Sequence, residues 1–226
     1  VAEVRRVAAA FDEAVDVDEA AAALRERTVA FLCAEYAVHP SLPIYSGGLG
    51  ALAGDILKEA SDLRVPMAAV GLFYHQGYFH QRLDPSGQQH EYWIPTYAED
   101  LAAVPVTDED GRPVEVRVPI EQREVAVRIW RVDVGRVPLF LLDSDVASNA
   151  SYDRWITARL YVSDRDLRLA QYALLGIGGI RALSAMGFEP STVHLNEGHA
   201  ALATLELARA EVERVERAEL TSGGDR

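Results

Sequence analysis

The most constraining feature of the 226-residue sequence is a glycine-rich turn, Ser-Gly-Gly-Leu-Gly at positions 46–50. An apolar run at 28–33 precedes it, and apolar residues recur at helical spacing from Leu49 to Leu63, which predicts an amphipathic helix. Glycines here predict positive φ and amide N–H groups bare enough to approach a ligand. Because the first N–H groups of a helix lack partners and carry its positive dipole end, the turn could hold an anion.

The glycine spacing does not match the two common phosphate-binding motifs. It is neither the dinucleotide pattern G-x-G-x-x-G nor the P-loop pattern G-x-x-x-x-G-K-[ST]. Taken alone, the turn fits a ligand site and a plain strand-to-helix connection equally well.

Composition and charge narrow the class of protein. With 49% hydrophobic and 25% charged residues, the chain is typical of one large globular domain or two small ones. A net charge of −13 argues against nucleic acid and anionic membranes as partners, whereas a neutral polysaccharide is compatible with it. No membrane span or signal peptide is expected. The single cysteine, Cys33, excludes an internal disulfide, fits a reducing cytoplasm and is best explained as a small buried hydrophobe.

The order of predicted elements indicates an α/β fold. A strand at 28–33, the helix at 49–63 and a buried strand at 66–73 predict a parallel, right-handed β–α–β unit. From 74 to 136 the pattern changes, and we expect an antiparallel β elaboration of the same sheet rather than a separate domain, starting with a hairpin at 77–94. Further strands are predicted at 113–120, 123–133, 137–142 and 192–195, and helices at 1–27, 164–186 and 197–220.

Several blocks of sequence together resemble one family. They are Phe31–Tyr36, the glycine turn, Val70–Arg82, Ala158–Tyr161, Asp166–Gln171 and His194–His199. In this order they resemble the N-terminal half of α-glucan (glycogen, maltodextrin or starch) phosphorylases of the short bacterial type, from about Thr28 to Arg209. The resemblance implies the Rossmann-like N-terminal domain of a two-domain GT-B glycosyltransferase architecture.

The resemblance also implies a division of the chain. We expect a helical segment at 1–27, a partial N-terminal phosphorylase domain at 28–220 and a frayed tail at 221–226. The sequence does not begin with Met, so we expect a piece of a longer polypeptide, without the C-terminal domain.

Phosphorylases of this family release the terminal α-1,4-linked glucose of a glucan as glucose 1-phosphate, using inorganic phosphate. The resemblance implies pyridoxal 5′-phosphate as cofactor, with its own phosphate acting as an acid/base group. Matched residue by residue, Gly48 and Leu49 would supply main-chain N–H groups to phosphate and sugar, while Gly47 and Gly50 shape the turn. No metal is implied.

Four other residues are assigned to the same site, each with a simpler alternative. Glu35 supports the turn from the cleft floor or pairs with an arginine such as Arg82. Asn196 and Glu197 lie on the sugar side, or act as an N-cap and a first-turn acid of the helix at 197–220. His199 binds sugar or packs locally.

Tyr161 begins a loop that gates the site in the family, and this loop departs from the expected pattern. Val162 and Ser163 stand where the family motif has two glycines, which puts the loop's mobility in doubt. His75 and His80 replace expected arginines, which would weaken anion capture unless these positions are exposed. Ala37 replaces an expected glycine.

The cofactor's lysine is missing. A pyridoxal cofactor is held through a Schiff base to lysine, and the only lysine in the sequence, Lys58, falls on the polar side of the predicted helix. We therefore expect this piece to be inactive without the C-terminal domain. Two alternatives stay open: a non-catalytic glucan-binding or assembly module, and part of a GT-B nucleotide-sugar glucosyltransferase. The sequence also leaves a homo-oligomer open.

Overall fold

The computed structural model describes residues 27–222, and its centre is the predicted β–α–β unit. Strand β1 (Val29–Leu32), helix α1 (Gly48–Asp62) and strand β2 (Met67–Leu72) follow one another, and β1 pairs with β2 in parallel. The predicted helix at 1–27 falls almost wholly outside the described residues, as do positions 223–226.

The remaining elements complete a mixed sheet with helices. Its strand order is β5-β7-β8-β2-β1-β9, and β6 also pairs with β7. Strands β8, β2, β1 and β9 are parallel, whereas β5, β6 and β7 join antiparallel to the β8 side. The bounds are β3 His80–Leu83, β4 Gln89–Tyr92, β5 Val104–Pro105, β6 Glu115–Ile120, β7 Arg123–Val134, β8 Val137–Asp143, α2 Ser151–Arg154, α3 Arg165–Ala173, α4 Gly179–Ala185, β9 Thr192–Leu195 and α5 Ala203–Ser222.

The α/β prediction is confirmed, and the antiparallel elaboration is confirmed only in part. Strands β5, β6 and β7 do extend the main sheet. The hairpin β3–β4 forms its own two-stranded sheet, and every residue in both strands is exposed. Its predominantly polar sequence offers no apolar face that could pack against the core, which explains why it stands apart.

The helix predicted at 164–186 forms with a five-residue π-helical segment, Leu174–Gly178, between α3 and α4. Its glycines allow close packing, as the sequence predicts. A Cβ on Gly176 would lie 2.6 Å from the backbone nitrogen of Ala203, and one on Gly179 would lie 3.2 Å from Val70. This helix therefore brings α5 against the sheet.

Two predictions about the last strand and helix are wrong. Strand β9 lies at the edge of the sheet, with alternating exposure, rather than in the core. Helix α5 begins at Ala203, after a 3₁₀ turn at Gly198–Ala200, so Asn196 is not its N-cap. The Asn196 amide instead donates a 3.1 Å hydrogen bond to the Cys33 sulfur, which is fully buried.

Candidate functional site

The glycine turn lies beyond the carboxyl end of β1, and its first half faces open space. Gly47 and Gly48 are exposed, and a Cβ built on either would meet no atom within 4 Å. Helix α1 begins at Gly48 without a side-chain capping bond and without an acidic residue in its first turn. The first-turn N–H groups, including those of Gly48 and Leu49, are therefore placed to serve an incoming acceptor.

The second half of the turn is tightly packed. A Cβ on Gly50 would lie 2.6 Å from the Tyr45 Cβ, and one on Gly54 only 2.3 Å from the Ala37 carbonyl oxygen. Ala37 also donates its backbone N–H to the Gly50 carbonyl at 2.8 Å. The predicted positive φ at the turn is wrong, since the glycines with positive φ lie elsewhere. Close backbone contact, rather than unusual φ, requires glycine here.

Glu35 holds the turn from below. The residue is 2% exposed, and its Oε2 accepts hydrogen bonds from the backbone N–H groups of Ser46 at 2.5 Å and Gly47 at 3.4 Å. Its Oε1 accepts one from the Tyr161 hydroxyl at 2.7 Å. The alternative pairing with Arg82 is not formed, because Arg82 lies in the exposed hairpin and turn amides and a phenol satisfy the carboxylate instead.

Tyr161 connects the turn to His199. Its residue has positive φ (57°), and its ring centroid lies 6.2 Å from that of His199. Burial, followed by the hydrogen bond to Glu35, raises the pKa of Tyr161, so the phenol stays protonated and donates to the carboxylate. The glycine turn, Glu35, Tyr161 and His199 thus form one chain of neighbouring groups.

His199 is half-buried and packs edge-on against Tyr172, with ring centroids 5.2 Å apart. Its Nδ1 is buried and has no hydrogen-bond partner within the described residues. Burial lowers the pKa of His199, which favours the neutral imidazole. Glu197, two residues earlier, is exposed and has positive φ (61°). An uncharged ring with an unsatisfied nitrogen suits a neutral hydroxyl group.

A second buried carboxylate, which the sequence analysis missed, lies at Asp143. Its Oδ1 bonds His75 Nε2 at 2.8 Å, and its Oδ2 accepts from Arg128 at 2.8 Å and Trp130 at 3.0 Å. Burial acts to raise the pKa of Asp143, but these partners outweigh it and hold the pKa well below its usual value. Its signal was available: like Glu35, Asp143 is an acidic residue at the end of an apolar strand.

The positions that depart from the family pattern have separate surroundings. His75 is partly buried against Asp143 and Phe73, whereas His80 lies in the exposed hairpin and stacks on Tyr92. Val162 and Ser163 line a cavity of about 340 Å³ next to Tyr161. Its wall includes Trp93, over which the Arg159 guanidinium lies at 3.9 Å.

Comparison with known proteins shows what most of the chain is related to. No protein-family model matches the chain. A maltodextrin phosphorylase from Thermococcus litoralis is 49% identical over 181 residues, 80% of this chain and 22% of that protein. A glycogen phosphorylase from Mycobacterium tuberculosis is 45% identical over 205 residues, 88% of this chain and 24% of the relative. One from Aquifex aeolicus is 40% identical over 174 residues, 77% of this chain and 25% of the relative.

The chain belongs, over most of its length, to the glycogen/maltodextrin phosphorylase family. It spans about a quarter of the length of the curated relatives it matches. The family resemblance inferred from the sequence blocks is therefore confirmed.

Two searches of the described part of this phosphorylase segment gave negative results. Within residues 27–222, His, Cys, Asp and Glu side chains form no group of three or more that could hold a metal ion. None of the helices described there is both long and apolar enough to cross a membrane.

Lys58 does not fit a pyridoxal cofactor. It lies on α1, its side chain is 49% exposed, and its ammonium is 3.6 Å from Asp55, which is itself exposed. A Schiff-base lysine needs a depressed pKa in a desolvated pocket, and this position provides neither enclosure nor a second cation.

Proposed function

We propose that the described residues form one wall of the active-site cleft of an α-1,4-glucan phosphorylase. Such an enzyme transfers the terminal glucose of a glycogen or maltodextrin chain to inorganic phosphate and releases glucose 1-phosphate. The observation that carries the proposal is the open first half of the glycine turn, where uncapped N–H groups meet no side chain. The family membership supplies the substrate class.

The turn would act as a donor set for oxygen atoms. The N–H groups of Gly48 and Leu49, at the positive end of a 15-residue helix, are suited to phosphate oxygens and to sugar hydroxyls. The absence of a side chain at Gly47 and Gly48 lets these oxygens approach the backbone. Donors fixed before the substrate arrives can stabilise charge that develops during the reaction without costly rearrangement.

Glu35 and Tyr161 would position this donor set rather than contact substrate. The carboxylate is satisfied on both oxygens, by the turn on one side and by the phenol on the other. This arrangement fixes the turn and the loop after Tyr161 relative to each other. His199 would accept or donate a hydrogen bond to a sugar hydroxyl through its neutral ring, with Asn196 and Glu197 shaping the approach.

We further propose that the complete polypeptide has the two-domain GT-B architecture, with this segment in the N-terminal Rossmann-like domain. Because Lys58 does not fit pyridoxal phosphate, the cofactor would be held by the C-terminal domain. The parts outside this segment would complete the cleft, and we place the enzyme in the cytoplasm. No step of the reaction is assigned to the cofactor here.

The test is phosphate-dependent release of glucose 1-phosphate from maltoheptaose by the complete polypeptide. We expect Gly48→Ala to raise KM for phosphate or lower kcat by about tenfold to a hundredfold, because its methyl group occupies the ligand's approach. The fold should tolerate this methyl, since it meets no atom within 4 Å. Leu52→Ala, an exposed change one turn further along α1, is the matched control. Wild-type activity that is absent, or requires a nucleotide sugar, would contradict the proposal.

A further inference from the structure

A second concave region lies on the other side of the Asp143 network. Its volume is about 400 Å³, within the range of about 300–1,000 Å³ typical of small-molecule sites. Its lining includes His75, Thr96, Tyr97, Asp145, Arg154 and Trp155. These residues come from four stretches of the chain that are far apart in sequence, so the cavity exists only in the folded protein.

Two aromatic side chains are unusually exposed at this cavity. Tyr97 is 59% exposed and Trp155 is 53% exposed, although each belongs to a segment fixed by backbone hydrogen bonds. Large rigid aromatic faces that remain in contact with water offer apolar surface at low entropic cost to a ligand. Sugar rings present flat faces of C–H groups, and such faces stack well on aromatic rings.

The polar groups of the cavity are paired so that their charges cancel. Arg154 Nε donates to Asp145 Oδ1 at 2.5 Å, and the guanidinium carries further N–H donors. His75 is bonded to buried Asp143, which is also paired with Arg128. A neutral ligand with many hydroxyl groups matches this balance better than an anion or a cation does.

The walls of the cavity are joined by backbone hydrogen bonds. Thr96 N–H donates to the His75 carbonyl at 2.6 Å, and His75 N–H donates to the Thr157 carbonyl at 3.1 Å. Gln76 N–H donates to the Ala158 carbonyl at 2.7 Å. Because the lining segments are tied together, little order would be lost when a ligand binds.

We infer that this cavity, which we call the Trp155 cavity, is a surface binding site for neutral α-linked glucan chains. Tyr97 and Trp155 stack on sugar rings, and Arg154, Asp145 and Thr96 bond their hydroxyl groups. The glucan class rests on the proposed function, whereas the neutral-oligosaccharide chemistry rests on the cavity. Binding there would hold a long chain on the enzyme surface and would contribute nothing to turnover of a short one.

The test separates surface binding from catalysis in the complete polypeptide. Affinity for soluble amylose is measured by the retardation of the protein in native gels containing it, and catalysis by phosphorolysis of maltotetraose. We expect Trp155→Ala and Tyr97→Ala each to weaken amylose affinity by about tenfold. Both should leave kcat/KM for maltotetraose within about twofold of wild type.

Tyr152→Ala is the matched control, because Tyr152 is 58% exposed on the same short helix but does not line the cavity. It should leave both measurements unchanged. Melting curves verify folding, and the two variants lie on separate segments, so a misfolded one does not remove the test. Normal amylose retardation in a folded Trp155→Ala or Tyr97→Ala variant would overturn the inference. A shift from dimer to monomer in either variant, seen by sedimentation, would overturn it too, because the face would then be a contact between copies. Loss of amylose retardation with absent wild-type phosphorolysis would contradict the proposed enzyme activity while supporting this site.

Discussion

The two halves of the glycine turn use the same residue type for opposite reasons. In the first half, Gly47 and Gly48 border empty space, and nothing within the described fold requires the absence of a side chain. In the second half, Gly50 and Gly54 lie against Tyr45 and Ala37 so closely that a Cβ cannot fit. A glycine required for packing concerns stability, whereas a glycine in open space calls for an explanation outside the fold, such as a ligand.

The largest expected effect lies in the packed half. Gly54→Ala would place a Cβ 2.3 Å from the Ala37 carbonyl oxygen, which is backbone and cannot move aside cheaply. We expect the free energy of unfolding to fall by about 3 kcal/mol. Gly48→Ala should change it by less than about 1 kcal/mol, and in the stabilising direction, because alanine favours a helix. Urea denaturation of both variants measures the difference, and equal destabilisation would break the comparison.

The next effect concerns what holds the open half in place. Glu35→Gln leaves one acceptor oxygen where the carboxylate has two, so either the Ser46 and Gly47 amides or the Tyr161 hydroxyl loses its acceptor. We expect a loss of about 2 kcal/mol in the free energy of unfolding, since the group left unpaired is buried or charged in its pairing. Urea denaturation beside Glu59→Gln, an exposed position on α1, measures it. Unchanged stability would show that the turn does not depend on Glu35.

A smaller effect is expected at the link between the turn and His199. Tyr161→Phe removes the 2.7 Å hydrogen bond to Glu35 but keeps the aromatic ring. Stability should fall by about 1 kcal/mol, the net contribution of one such hydrogen bond. Thermal melting detects this, with Tyr152→Phe as the control. If Tyr161→Phe and Glu35→Gln are additive in the double variant, the two groups are not coupled as the structure indicates.

The smallest effect is the pH dependence contributed by His199. Because burial lowers the pKa of His199 in the folded protein, its contribution to stability is complete above the ordinary imidazole value of 6.5. This contribution is lost as the pH falls from there toward the depressed folded value. We expect His199→Asn to flatten the decline in melting temperature between about pH 7 and pH 5. An identical decline in variant and wild type would mean that His199 is not desolvated.

Local patterns predicted the elements well, and long-range partners were the main source of error. Apolar periodicity located β1, α1 and β2 because burial of one face dictates that pattern. The N-cap prediction for Asn196 failed because its best partner, the Cys33 sulfur, is 163 residues away in the sequence. The arginine expected for Glu35 was wrong for the same reason, since Tyr161 is 126 residues away.

The candidate site was therefore predictable as residues but not as an arrangement. Family resemblance placed Gly48, Leu49 and His199 in one site, and their roles stay predictions. Which glycines face open space and which are packed depends on Tyr45 and Ala37, whose positions follow from the whole fold. Asp143 and the Trp155 cavity depend on contacts among four separate stretches of chain, which no local pattern encodes.

The most direct test is a crystal structure of the complete polypeptide with phosphate and a maltooligosaccharide bound. We predict a ligand oxygen within about 3 Å of the backbone nitrogen of Gly48 or Leu49, with Glu35 still bonded to Ser46 and Tyr161. A structure in which another segment covers Gly47 and Gly48, with the phosphate and sugar bound elsewhere, would contradict the proposed role of the turn.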